Sequence, residues 1–284
     1  MKPETALRAR VGHSPDPDDA FMFYGIACGA VDTEGFEIEQ VLEDIESLNR
    51  RALVGELEVS AVSIHAYTHL ADRYALMHCG ASMGDGYGPC VVATSSFDPQ
   101  ELRSKKIAVP GTLTSAFLAL RLYLGQEFEY EVVPFDEIPQ AVKSGRVDAG
   151  LIIHESQITY RDEGLKLIAD LGVWWGEKTG GLPLPLGGNV VRKDLGDEAM
   201  RSLTRVIEAS IDYGLEHRQA ALKYSLDFGR GLDESLTDRF VGMYVNDLTR
   251  DYGDRGREAI RRFLAEGRQI GLVPDFGEVE FVGA

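Results

Sequence analysis

Asp148-Ala149-Gly150-Leu151-Ile152-Ile153-His154-Glu155 is the stretch that decides the fold. It is a short apolar run, bounded upstream by Lys143-Ser-Gly-Arg and ending in an ionisable pair, the pattern of a buried strand. Fully apolar strands of this length belong to parallel sheets covered on both faces. In open α/β sheets of that kind, ligands collect beyond the carboxyl ends of the strands. His154 stands at that end and is the first choice among the histidines for chemistry.

The same plan occurs earlier in the chain. Gly145-Arg-Val-Asp-Ala-Gly-Leu-Ile-Ile-His aligns without gaps on Gly55-Glu-Leu-Glu-Val-Ser-Ala-Val-Ser-Ile. Each copy follows a segment with helical spacing, Ile45-Leu48-Ala52 in one and Ile138-Ala141-Val142 in the other. The unit is therefore a helix, a Gly stop and a strand, used twice. The beginnings of the two halves also match. Residues 8–13 read as a strand running into the turn Ser14-Pro-Asp-Pro-Asp-Asp and a helix over 20–25. Residues 106–109 read as a strand running into Pro110-Gly-Thr-Leu and a helix opened by Thr114. Two α/β lobes of related design are the economical interpretation.

The bulk numbers bound the remaining choices. A chain of 284 residues is comfortable for two domains. It is 44% apolar and 26% charged, with no run long enough to cross a membrane. The N-terminal ten residues lack the apolar core of a signal peptide. Cys28, Cys79 and Cys90 cannot all pair internally and lack zinc-site spacing. The expectation is a cytoplasmic protein with free thiols. A net charge of −17 argues against nucleic acid or an anionic membrane as partner. It leaves room for a small anionic ligand held by local donors.

Further along, residues 80–89 form a glycine-dense loop suited to tight turns or close approach of backbone to a ligand. The β-branched run at 90–94 and the polar residues 95–99 read as a crossover into the second lobe. The chain is expected to return through Leu182-Pro-Leu-Pro-Leu-Gly-Gly-Asn-Val-Val-Arg. From Asp197 the pattern is helical, with Leu203, Val206, Ile207, Ile211 and Leu215 at three- and four-residue steps, and further helices over 236–248 and 255–267. The expected division is a discontinuous larger lobe, 1–95 plus 189–284, and a smaller lobe, 96–188, around a cleft.

Several motifs could carry chemistry. The turn containing Ser14, Asp16, Asp18 and Asp19 reads first as a helix start with acids beside the positive dipole end, and secondarily as a cleft contact. A metal there is disfavoured, because no histidine or further acid falls at a supporting spacing. Thr114, Ser115 and Ala116 open a helix after a strand, a combination that suits a carboxylate or phosphate. Ser63 ends the first repeat strand, where ligand contact and a backbone-satisfied hydroxyl are equally favoured. No serine lies in a Gly-x-Ser-x-Gly elbow, so acyl chemistry is not supported. His65 and His69 lack the Glu of a metalloprotease helix and read as structural or surface groups. Trp174 and Trp175 read as buried or as an aromatic wall. On spacing alone His154 is balanced between a buried histidine bonded to backbone and a general base.

Together, His13-Ser-Pro-Asp-Pro-Asp-Asp-Ala-Phe-Met-Phe, Gly111-Thr-Leu-Thr-Ser-Ala, Ile153-His-Glu-Ser-Gln and Leu182-Pro-Leu-Pro-Leu-Gly-Gly-Asn resemble the 1,4-dihydroxy-6-naphthoate synthase family of the futalosine route to menaquinone. Some members carry Cys and Asn where this chain has Asp16 and Asp18. The resemblance implies a fold like the type II periplasmic binding proteins, two α/β lobes about a central cleft. It implies a lyase acting on cyclic dehypoxanthinylfutalosine, a spiro-linked carboxylate, without a cofactor. His154 would be the proton acceptor, and Ala61, Val62, Ser63, Thr114, Ser115 and Ala116 would hold the substrate. Ser14, Asp16, Asp18, Asp19 and Asn189 would be further cleft contacts. Chorismate dehydratase, a related enzyme of the same route, and a non-catalytic solute-binding protein are the alternatives.

Overall fold

The computed structural model describes residues 7–125, 127–229 and 231–283. Its strands are β1 (Leu7–His13), β2 (Phe36–Leu42), β3 (Val59–Ser63), β4 (Tyr74–Leu76), β5 (Ser82–Gly84), β6 (Cys90–Ala93), β7 (Ile107–Val109), β8 (Tyr130–Val132), β9 (Ala149–Ile152), β10 (Lys166–Asp170) and β11 (Leu184–Arg192). They form two sheets, ordered β2-β1-β3-β11-β4, with β5 also on β11, and β8-β7-β9-β6-β10. Each sheet has a parallel trio centred on its first strand: β2 and β3 flank β1, and β8 and β9 flank β7. Each then continues with two antiparallel strands, β11 and β4 in one and β6 and β10 in the other. The repeat seen in the sequence is thus a repeat of sheet design. The sheets are mixed, where wholly parallel ones were expected.

The helices are α1 (Pro17–Met22), α2 (Tyr24–Ala27), α3 (Ile45–Leu53), α4 (Ile64–Tyr67), α5 (Ser115–Leu124), α6 (Ile138–Lys143), α7 (Ser156–Thr159), α8 (Leu171–Thr179), α9 (Asp197–Glu216), α10 (Arg218–Ser225), α11 (Glu234–Tyr244), α12 (Asp247–Arg250) and α13 (Gly253–Gln269). The repeated stop works as its residue type requires. Gly55 and Gly145 follow α3 and α6 at φ +70° and +75°, a backbone region costly for side chains with a Cβ. α3 begins where Asp44 accepts hydrogen bonds from the N–H groups of Glu46 and Ser47, and it buries Leu48 and Ala52. That cap satisfies two otherwise orphaned donors. In α9 the expected stripe is buried at Leu203, Val206, Ile207 and Ile211, and Leu203, Ile207 and Ile211 pack with Val11, Phe21 and Val59 under the first sheet.

Two expectations about the crossings are corrected. β6, assigned from sequence to the first lobe, pairs with β9 and β10 in the second sheet. β11 already belongs to the first sheet from Leu184. The chain therefore changes sheets at residues 85–89 and 180–183, ahead of the expected crossover at 95–99 and the expected lobe boundary at 188/189. A β-branched run carries no local mark of which sheet it will join.

Candidate functional site

β1 delivers the chain to the cleft at His13, and Ser14 to Asp19 turn it into α1. The turn is held by its own side chains: the Ser14 N–H donates to Asp19 Oδ2 at 2.7 Å and the Ser14 hydroxyl to Asp16 Oδ2 at 2.7 Å. His13 stacks on Phe23 with ring centroids 4.2 Å apart. Asp16, Asp18 and Asp19 are all buried, unlike ordinary helix-start acids, which sit in water. Desolvation raises Asp19 above the usual carboxylate range, opposed by His13 and the Ser14 N–H.

His154 comes from the other lobe, two residues past β9, with a left-handed backbone at φ +54°. Such a conformation in a non-glycine residue is uncommon and often marks a site. Its Nδ1 lies 3.1 Å from Asp16 Oδ2 across the cleft, and its ring meets the edge of Phe135 at 4.6 Å. Asp16 can accept from Nδ1–H, which fixes the tautomer and leaves Nε2 as the bare lone pair. The His154 carbonyl accepts from the Gln157 side-chain amide at 3.3 Å, while the Tyr244 hydroxyl donates to Gln157 Oε1 at 2.8 Å. Tyr244 lies on α11, so this is a second link between the lobes.

The second sheet also presents α5. Thr114 caps it by accepting from the Phe117 N–H at 3.2 Å, and the Thr114 hydroxyl donates to the Gly111 carbonyl at 2.9 Å. The Ser115 hydroxyl donates to the Leu186 carbonyl at 2.6 Å and accepts from the His65 N–H at 3.0 Å. Both hydroxyls are therefore committed to the protein. What α5 offers a ligand is its opening backbone N–H groups, which have no intrahelical partner. Gly111 in the approach packs against Glu46, whose carboxylate would have to swing aside for a Cβ there, 2.5 Å from Oε2.

Ser63 ends β3 with its N–H donating to Asn49 Oδ1 at 2.9 Å and its Oγ accepting from Asn49 Nδ2 at 3.1 Å. The hydroxyl proton of Ser63 remains for a ligand. Among the groups expected from sequence, His154, Ser14, Asp16, Asp18, Asp19, Ala61, Val62, Ser63, Thr114, Ser115 and Ala116 all face one cavity between the sheets. The free space there is about 730 Å³, part of it open to solvent.

Asn189 stands apart from these groups: it is 1% exposed, and its side-chain amide donates to the Gly80 carbonyl at 3.4 Å. It stands opposite Ala61 in the antiparallel register, so the two side chains share one face of the sheet. His65 is structural: Nδ1 lies 3.2 Å from the Thr114 carbonyl, and burial pulls its pKa down to about 4. Trp175 is buried with its indole N–H donating to the Pro183 carbonyl, and Trp174 packs on Tyr123. Neither tryptophan walls the cavity. Tyr244, Gln157, Asn49, Phe240 and Ser82 were not singled out from sequence. Gln157 alone had a local signal, three residues after His154. No group of three or more metal-ligating side chains occurs among the described residues.

The geometry can be set beside known proteins. A family model described as menaquinone biosynthesis matches residues 9–269. A protein of Thermus thermophilus named 1,4-dihydroxy-6-naphtoate synthase is 42% identical over 263 residues, 93% of this chain and 95% of its own. A Streptomyces coelicolor protein of the same name is 37% identical over 273 residues, with 94% and 95% covered. A crystal structure of an Archaeoglobus fulgidus protein superposes with a TM-score of 0.89 at 47% identity, covering 94% of this chain and 98% of that one. The alkanesulfonate-binding protein SsuA of Xanthomonas axonopodis pv. citri, bound to MOPS, reaches 0.72 at 13% identity over 96% of both chains. At that identity the likeness shows the fold, that of the periplasmic binding proteins. The fold of the periplasmic binding proteins thus carries an acid–histidine pair at its cleft, and the chain belongs to the menaquinone biosynthesis family.

Proposed function

We propose that this protein is a 1,4-dihydroxy-6-naphthoate synthase, a carbon–carbon lyase acting on cyclic dehypoxanthinylfutalosine with His154 as general base. The observation that carries it is the His154–Asp16 contact, made between the lobes and facing the same cavity as the opening of α5. A base must reach its proton within hydrogen-bonding distance, in the correct tautomer, away from competing water. Asp16 sets the tautomer and stabilises the imidazolium formed when Nε2 takes a proton. The N–H groups of Ser115 and Ala116 hold the substrate carboxylate, and the Ser63 hydroxyl and the wall at Ala61 and Val62 fix its other end. Positioning between two rigid sheets supplies the near-attack geometry, and aromatisation of the product ring drives fragmentation forward.

The test is to incubate purified protein separately with the cyclic futalosine derivative and with chorismate, identifying products by mass spectrometry. Formation of 1,4-dihydroxy-6-naphthoate from the first alone is expected. Dehydration of chorismate would transfer the chain to the related activity, and binding without conversion of either would favour a solute-binding role.

A further inference from the structure

Asp18 has no task in the proposed mechanism, yet it faces the cavity. The residue is 7% exposed, its Oδ1 is buried without a hydrogen-bond partner, and its Oδ2 has the Ser82 hydroxyl at 3.4 Å. Around it lie Asp16 and Asp19 on the same turn, His13 at the end of β1, Tyr244 on α11, and His154 opposite, whose Nδ1 engages Asp16. Among the described residues no Lys or Arg lines the cavity. An ionised Asp18 would be a desolvated charge beside two other carboxylates, with neither a cation nor a full set of donors. It would also repel the carboxylate substrate. An un-ionised carboxyl has neither problem, and its O–H supplies a donor in a pocket rich in acceptors.

We propose that Asp18 works as an un-ionised carboxylic acid, donating a hydrogen bond from its O–H to an oxygen of the bound substrate. No bond is made or broken at Asp18, and the proton stays on it. Burial, the largest influence, holds this carboxyl well above the usual carboxylate range. Asp19 and Asp16 add to the rise, and the N–H groups of Asp18 and Asp19 oppose it without cancelling it. The identity of the acceptor oxygen rests on the substrate proposed above, whereas the protonation state does not.

Infrared difference spectroscopy of wild type minus Asp18→Asn at neutral pH, without substrate, reads that state. The expected signal is the carbonyl stretch of an un-ionised carboxyl, sensitive to heavy water; carboxylate bands in its place overturn the proposal. Thermal unfolding gives an independent reading. A folded pKa raised above the unfolded one gives stability that is complete below the ordinary carboxyl range and lost as pH climbs. Wild type should therefore lose Tm relative to Asp18→Asn as pH climbs above about 4, and parallel curves would contradict an un-ionised Asp18. With wild-type turnover in hand, Asp18→Asn, which keeps a neutral donor, should lose about 3- to 10-fold in kcat/KM, against about 10²-fold for Asp18→Ala. Equal losses in the two variants remove the donor role. Absence of wild-type turnover would sink the substrate assignment and leave the infrared and melting results standing.

Discussion

His65 and His154 each stand two residues past the end of the corresponding strand, β3 in the first sheet and β9 in the second. Their surroundings separate them. His65 is buried against the Thr114 carbonyl, and burial lowers its pKa to about 4, so near pH 7 it is a neutral donor tying α5 to the first lobe. The His154 side chain is 17% exposed and has a carboxylate as its Nδ1 partner. A carbonyl orients an imidazole, whereas a carboxylate orients it and also stabilises its cation. The position beyond a strand makes a histidine available; the partner decides what it can do.

That contrast can be broken by substitution. His154→Asn should lower turnover by roughly 10²–10⁴-fold while substrate affinity, measured by calorimetry, stays close to wild type. Near-normal turnover would return His154 to a structural role like that of His65. Asp16→Asn should cost roughly 10²-fold in kcat, because the amide can present an N–H to Nδ1 and stabilise the wrong tautomer. A loss confined to KM would mean that Asp16 only shapes the pocket.

His65 yields a stability prediction. Its folded pKa of about 4 lies below the ordinary 6.5, so the unfolded chain binds its proton first as pH falls. Stability from this group is complete above pH 6.5 and is lost as pH falls towards 4. The full loss is about 3 kcal/mol, and His65→Gln should flatten the acid limb in denaturant titrations by up to that amount. A limb of unchanged slope would show that His65 opens to water when protonated.

Smaller effects are expected at the opening of α5. Thr114→Val removes a cap worth about 1 kcal/mol and should raise KM more than it lowers kcat, measured with the free-acid substrate. An esterified substrate that binds as well as the acid would remove the carboxylate site. The smallest effect is in overall shape. We propose that the lobes rotate about residues 85–89 and 180–183, although Ser115–Leu186 and Tyr244–Gln157 already bridge them. Small-angle scattering with an unreactive substrate analogue should show a modest fall in radius of gyration, and no fall at saturation would indicate a cleft closed beforehand.

What could be read from sequence was what local chemistry writes there. The glycine stops after α3 and α6, the Thr114 cap and the placing of His154 beyond an apolar strand all depend on neighbours within a few residues. The partner of His154 does not: Asp16 reaches it only because the two sheets face each other, and nothing near residue 16 marks it. Tyr244, 87 residues from its partner Gln157, is invisible for the same reason, as is Asn49 beneath Ser63. The crossings were misplaced because pairing partners, which long-range packing selects, decide where a sheet begins.

A double-substitution cycle at the contact between the lobes is the most direct test of a site built by both. Turnover is measured for wild type, Asp16→Asn, His154→Asn and the double variant, with the cyclic substrate at saturation. If the pair acts as one unit, the double variant loses no more than His154→Asn alone. Losses that multiply would show two independent contributions and contradict a shared acid–histidine pair.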